Sequence, residues 1–154
     1  MTLSLRSATE ADVEMLAKMN KQLIEDEGHR NPMTISELAA RMRGWLQSGW
    51  NADLFERVDP QVGPTMVGYA LYQHRNDEFF PERPIVYLRQ FLITREHRQQ
   101  GLGRRALREL LAVRFPLPCT VVVDVLTANT RGVEFWQAVG FAPYQMTLHA
   151  RVGV

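Results

Sequence analysis

Two glycines, Gly101 and Gly103, stand two positions apart at the start of a helix-like pattern, with Arg98, Arg104 and Arg105 around them. Amides in the first turn of a helix have no intrahelical acceptor, and the helix dipole adds partial positive charge there. Glycine lets the main chain approach a ligand closely and take up turns closed to other residues. Such a loop suits a phosphate, and the arginines strengthen the local field. A tight turn on a solvated, arginine-rich helix is the plainer alternative. Earlier in the chain, Glu25, Asp26, Glu27 and His29 cluster where a first helix is expected to end. Carboxylates at that end oppose the helix dipole, a mild cost that points to use rather than to bare surface. His74, His97 and His149 are scattered without metal-ligand spacing, so no metal site is predicted.

The elements that must position these groups follow from hydrophobic periodicity. "LSLRSA" alternates as a first strand. Thr9 and Asp12 open a helix whose apolar face is Val13, Leu16, Met19 and Leu23, and Gly28 and Pro32 break it. Thr34 and Glu37 open a second, with Leu38, Met42, Trp45 and Leu46 on one face and Gly49 at its end. Three strands follow, "ADLFERV", "TMVGYALY" and "IVYLRQFLI", joined by a turn and a longer proline-containing loop. From Gly101 a third helix presents Leu102, Ala106, Leu107, Leu110 and Leu111. "CTVVVDVL" reads as a buried strand, "TRGVEFWQAV" as a short last helix, and "FAPYQMTLHARV" as one or two final strands. The order β-α-α-β-β-β-α-β-α-β is that of one mixed α/β domain.

Composition narrows the function classes. The 154 residues suffice for one domain with a real core, and hydrophobic and charged fractions of 45% and 23% are those of a soluble globular protein. A net charge of +1 argues against a dedicated nucleic-acid binder. The N-terminal residues lack the blocks of a signal peptide and no apolar run reaches membrane-spanning length, so a cytoplasmic protein without membrane contact is expected. Cys119 is the only cysteine, which excludes an intrachain disulfide and fits a reducing compartment; it reads as an inert core thiol.

Three phosphate-binding patterns can be compared with the glycine loop. A P-loop requires a Gly-Lys-Ser/Thr ending that is absent. Gly101, Gly103 and Ala106 satisfy G-x-G-x-x-A, and Asp124 follows Gly103 by 21 positions, near the spacing of a dinucleotide fingerprint. That fingerprint follows its strand directly and opens two βαβ halves. Here the seven polar residues 94–100 intervene and about one such unit remains. The third pattern fits: "RQQGLG" (98–103) resembles the Arg/Gln-x-x-Gly-x-Gly/Ala loop of the GNAT superfamily of acetyl-CoA-dependent N-acetyltransferases. "NTRGVEFWQAVGF" (129–141) resembles that family's closing signature, and the order of elements is also the family's.

The resemblance implies a single domain over 1–154, with a central mixed, mostly antiparallel sheet flanked by helices. It implies acetyl-CoA as cosubstrate and no metal. CoA contacts fall on Arg98, Gln99, Gln100, Gly101, Leu102, Gly103 and Arg104 for the pyrophosphate, Asn129 for the pantetheine arm, and a backbone amide near Leu92 or Ile93 for the thioester oxyanion. A side chain at Gly101 or Gly103 is expected to fill space that the pyrophosphate needs. Trp136 stands where the family often has a tyrosine general acid; an indole N–H donates a hydrogen bond but is no practical proton source. Where some relatives carry a basic carboxylate on the fourth strand, this chain offers Tyr87, Arg89 and Gln90. The resemblance places Glu25, Glu27 and His29 in the segment that walls the acceptor site, which makes them the candidate base. It implies a small-molecule or peptide amine, cationic before attack, as the acceptor. A catalytically weak CoA-binding sensor or interaction module is the alternative reading, and a homodimer is compatible with either.

Overall fold

The computed structural model describes residues 2–153. Its elements are β1 (Thr2–Ser7), α1 (Val13–Glu27), α2 (Ile35–Gln47), β2 (Asn51–Asp59), β3 (Gly63–Asn76), β4 (Pro84–Ile93), α3 (Leu102–Val113), β5 (Thr120–Val122) and α4 (Thr130–Ala138). They form one sheet in the order β1-β2-β3-β4-β5, antiparallel as far as β4, with β5 added parallel to β4. This is the mixed, mostly antiparallel sheet expected. Both helix starts read from the sequence are present: Asp12 accepts the Thr9 N–H at 2.8 Å, and the Thr34 hydroxyl accepts the Glu37 N–H at 3.2 Å. The Arg6 guanidinium beside Asp12 holds that carboxyl below its usual range.

Helices cover both faces of the sheet. Phe55, Val67, Ala70, Tyr72, Val86 and Leu88 pack on the apolar face of α3. Leu54, Tyr69, Leu71 and Leu92 pack on α1 and α2 through Leu16, Leu23 and Met42. Leu88 and Leu92 lie an even number of positions apart yet face opposite layers. The cause is a bulge: Tyr72 pairs with Leu88 and Leu71 with Gln90, which leaves Arg89 as the extra residue of β4. One inserted residue reverses the side-chain alternation beyond it.

Two expectations at the C-terminal end are corrected. The final strand does not form: residues 142–153 carry no strand and are exposed, Tyr144, Met146, Leu148 and Val152 among them. The strand read from "CTVVVDVL" is not a buried one, because β5 has three residues, pairs only with Ile85, Val86 and Tyr87, and is the edge of the sheet. With no strand beyond it, Val122 and Leu126 are left open to solvent. No described helix is long and apolar enough to cross a membrane.

The far end of α3 is fixed to the sheet by a buried carboxylate. Asp53 on β2 accepts from the Arg114 Nε at 3.0 Å and from the Tyr72 hydroxyl at 2.6 Å. Burial and the Asp53 partner push the Tyr72 phenol upward from its ordinary pKa. Removing one member of a buried ion pair leaves the other uncompensated. Arg114→Met is therefore expected to cost about 3 kcal/mol, read as a lower urea midpoint with an unchanged slope. A loss within a few tenths of a kcal/mol would show that Asp53 is solvated by another route.

Candidate active site

Past Tyr87, β4 and β5 part. Residues 88–93 of β4 have no strand on that side, and residues 123–125 continue opposite them without pairing. The opening is a cleft of about 420 Å³ between the start of α3, the end of α1 and the start of α4. A second cavity of about 520 Å³ lies against Ser7, Asn51 and His74, but its carboxylates are already partnered, Asp53 by Arg114 and Glu10 by Arg43. The cleft brings together Glu27, Leu92, Ile93, Arg98, Gln99, Gly101, Leu102, Gly103, Arg104, Asn129 and Trp136 of the residues singled out in the sequence.

The glycine loop forms its floor. Gly101 caps α3 with φ +72°, and the preceding Gln99 also has positive φ, 62°, an uncommon conformation for a side-chain-bearing residue. The Gly101 carbonyl accepts the first helical bond, from the Arg105 N–H at 3.2 Å. The amides of Leu102, Gly103 and Arg104 therefore begin the helix without an intrahelical acceptor. The two glycines differ in their surroundings within the protein. A Cβ on Gly101 would meet no other protein atom within 4 Å, and the left-handed backbone itself opposes a side chain there. A Cβ on Gly103 would lie 3.0 Å from the Phe135 ring. The start of α3 therefore lies tight against Phe135 of α4, and a side chain at 103 would have to displace that ring. Arg98 is also occupied: its Nε donates to the Ile93 carbonyl at 2.9 Å, and Asp26 takes its Nη2. Gln100 accepts from Arg57 and does not line the cleft, whereas Gln99 and Arg104 do.

The other walls come from α4 and from β4. Asn129 lines the cleft and caps α4, its Oδ1 accepting the Gly132 N–H at 3.1 Å. Trp136 lies in an aromatic cluster, its ring centroid 5.4 Å from Phe91 and 5.0 Å from both Phe135 and Phe141. Leu92 and Ile93 line the opposite side. Tyr87 donates to Asp124 at 2.7 Å, and burial, with that partner, pushes the phenol up to about 12. The Asp124 contact is invisible in sequence, because it joins β4 to the segment after β5, 37 residues away.

The acidic cluster divides on folding. Arg95 bridges Glu25 at 3.0 Å and Asp26 at 2.6 Å, and Arg98 takes the second Asp26 oxygen. His29 is exposed, its Nδ1 accepting the Asn31 N–H, and lies outside the cleft, as does Glu25. Glu27 alone of the three candidates reaches the cleft, half-buried and free of ion pairs among the described residues. Burial, and secondarily the Asp26 charge, push its carboxyl up from the ordinary 4.5. No sequence signal distinguished Glu27 from its neighbours. The choice depends on Arg95 and Arg98, which lie some 70 residues later.

The same architecture occurs in known proteins. A sequence profile of the Acetyltransferase (GNAT) family matches residues 28–141. The chain is similar to the thialysine N-epsilon-acetyltransferase of Bos taurus, 27% identical over 88% of this chain and 82% of that one, and to its Mus musculus counterpart, 26% identical with the same coverage. Its fold is similar to that of a possible acetyltransferase from Clostridium difficile, with a TM-score of 0.76 at 12% identity over 100% of this chain and 99% of that one. It is similar also to the aminoglycoside N-acetyltransferase AAC(6')-Iy in complex with a CoA bisubstrate analogue, with a TM-score of 0.72 at 18% identity over the whole of both chains. The chain belongs to the GNAT family of acetyltransferases. It is an enzyme of the N-acetyltransferase class, and the sensor reading left open by Trp136 gives way to that.

The raised Glu27 carboxyl has a consequence for stability. The folded protein holds this proton more tightly than the unfolded chain does. The stabilising contribution is therefore full below the ordinary carboxylate value and is lost as pH rises through the raised one. Glu27→Gln should accordingly be at least as stable as the parent at neutral pH, with an advantage that shrinks as pH falls through the carboxylate range. Thermal unfolding across that range checks this. A marked drop in Tm at neutral pH would mean that the ionised carboxylate serves the fold.

Proposed function

We propose that the cleft binds acetyl-CoA and that the enzyme transfers the acetyl group to a primary amine of a small molecule or peptide, with Glu27 as the base. One observation carries the reading: the unpartnered amides of α3 and the half-buried Glu27 carboxyl open into the same cleft. An anionic pyrophosphate suits the amides of Leu102, Gly103 and Arg104. The pantetheine arm would then run along the gap between β4 and β5 past Asn129, with the thioester beside Leu92 and Ile93. The names of the relatives and neighbours, which act on thialysine and on aminoglycosides, support an amine acceptor.

The reaction is an acyl transfer by direct attack. An alkyl ammonium has a pKa of ~10.4 in water and must lose a proton before its nitrogen can attack. A carboxylate whose pKa is raised toward neutrality is a better base for this than an ordinary one. The amine nitrogen bonds to the thioester carbon, backbone N–H donors on β4 stabilise the oxyanion, and the C–S bond breaks. The proton taken by Glu27 returns through water to the departing thiolate. Trp136, packed among three phenylalanine rings, shapes the wall near the sulfur and takes no proton-transfer role. Glu25 and Asp26 are already neutralised by arginines, so attraction for a cationic amine falls mainly to Glu27.

Two experiments test the reading. Gly103→Ala should weaken acetyl-CoA binding at least tenfold by pushing α3 from α4, and Gly103→Ala with Phe135→Leu should recover most of it, since the clashing ring is gone. Unchanged affinity in folded Gly103→Ala would place CoA elsewhere. For the base, kcat/KM of the parent should rise with pH through the raised Glu27 pKa. Glu27→Gln should lose that limb and ~10² in kcat, with acetyl-CoA KM little changed. Intact acceptor kinetics in this variant would remove Glu27 from the chemistry.

A further inference from the structure

The rim of the cleft beside Glu27 carries positive charge that no carboxylate among the described residues neutralises. Arg89 is the extra residue of the β4 bulge, exposed and lining the cleft. Bulges of this kind re-aim a side chain out of the regular alternation. Its guanidinium carbon lies 4.9 Å from the centroid of Trp45, and Arg41, from α2, lies 4.5 Å from the same ring. Neither arginine has a carboxylate partner among the described residues. Arg41 donates once, from Nη2 to the Asn20 Oδ1 at 3.2 Å, and its Nε is buried with no acceptor.

Two guanidinium groups stacked on one indole repel each other, and cation–π attraction offsets only part of that. Burial and the charge of Arg89 both lower the Arg41 pKa from its ordinary value. Arg6, Arg43, Arg95, Arg98 and Arg114 each meet a carboxylate, whereas Arg41 and Arg89 share one ring and meet none among the described residues. The pair at Trp45 is held by packing and has no counter-ion among the described residues. Planar guanidinium groups match carboxylate oxygens in bidentate geometry. The phenol of Tyr69, buried beneath this region, is raised mainly by burial and then by the Glu27 charge, while Arg41 acts oppositely. Glu27 and Arg89 line the same cleft, so a carboxylate and a guanidinium face one opening, with Arg41 against the same Trp45 ring as Arg89.

We propose that Arg89 and Arg41 form a receptor for a carboxylate of the acceptor, so that the substrate is an amine that also carries a carboxylate, an amino-acid-like zwitterion. The proposal rests on the acceptor reading of Glu27 and extends it. The amine would lie toward Glu27 and the carboxylate toward Trp45, which fixes the direction in which the substrate enters. A simple diamine would gain the attraction of Glu27 but meet two unneutralised arginines, and so would be disfavoured.

L-lysine and cadaverine, which differ by one carboxylate, are the probes, each measured by CoA release with acetyl-CoA saturating and by calorimetric binding to the CoA-loaded enzyme. The parent should favour lysine at least tenfold in kcat/KM, through KM, and bind it correspondingly tighter. Arg89→Gln should bring the ratio toward one, and Arg41→Lys, which keeps the charge but loses the planar fork, should reduce it. O-phosphoethanolamine is the third probe; a preference for it over lysine would make the site a phosphate receptor and overturn the carboxylate assignment. Equal use of lysine and cadaverine by the parent, or an unchanged ratio in Arg89→Gln, would also overturn it while leaving acetyl transfer standing. Absence of CoA release with every amine would instead remove the transfer reading, and the binding preference would still decide the carboxylate receptor.

Discussion

Everything in this molecule that can do chemistry depends on a sheet that fails to close. β4 and β5 pair over three residues and then separate, so one edge of β4 is left without a strand from Leu88 onward. Backbone groups in a protein interior must find partners, and a gap lined by main chain is tolerated only where a ligand or solvent can supply them. The start of α3 adds three further amides to the same opening. The cleft is therefore an arrangement of backbone donors facing open space. The Asp53, Arg114 and Tyr72 cluster holds the far end of α3 to the sheet and keeps the near end facing the gap.

Ion pairing then selects among the acidic residues. Arg95 and Arg98 leave the glycine loop's approach and reach the end of α1, where Asp26 accepts from both. This ties the end of α1 to the glycine loop, and it offsets the unfavourable placement of carboxylates at a helix C-terminus. Arg98 also donates to the Ile93 carbonyl, so the strand end, the loop and α1 share one guanidinium. Glu27 is left half-buried and without an ion pair among the described residues, and burial raises its carboxyl pKa. The seven polar residues between β4 and α3 are a structural strap as much as an approach to the loop.

What the sequence by itself determined was local. Helix starts were legible because a capping residue and its partner lie three positions apart, as at Thr34 and Glu37. The apolar faces of α1 and α3 were legible because side-chain periodicity is a property of the chain alone. The glycine loop and the closing signature named the family for the same reason, since spacing in a motif reflects backbone geometry over a few residues. The final strand was misread because Tyr144, Met146, Leu148 and Val152 alternate as a strand does, and alternation cannot supply a neighbour to pair with. The bulge at Arg89, the role of Gly103 against Phe135, and the separation of Glu27 from Glu25 and His29 were decided by the tertiary structure. Each depends on a contact between residues tens of positions apart, where the physical partner, rather than the residue type, sets the charge, the space and the direction of the side chain.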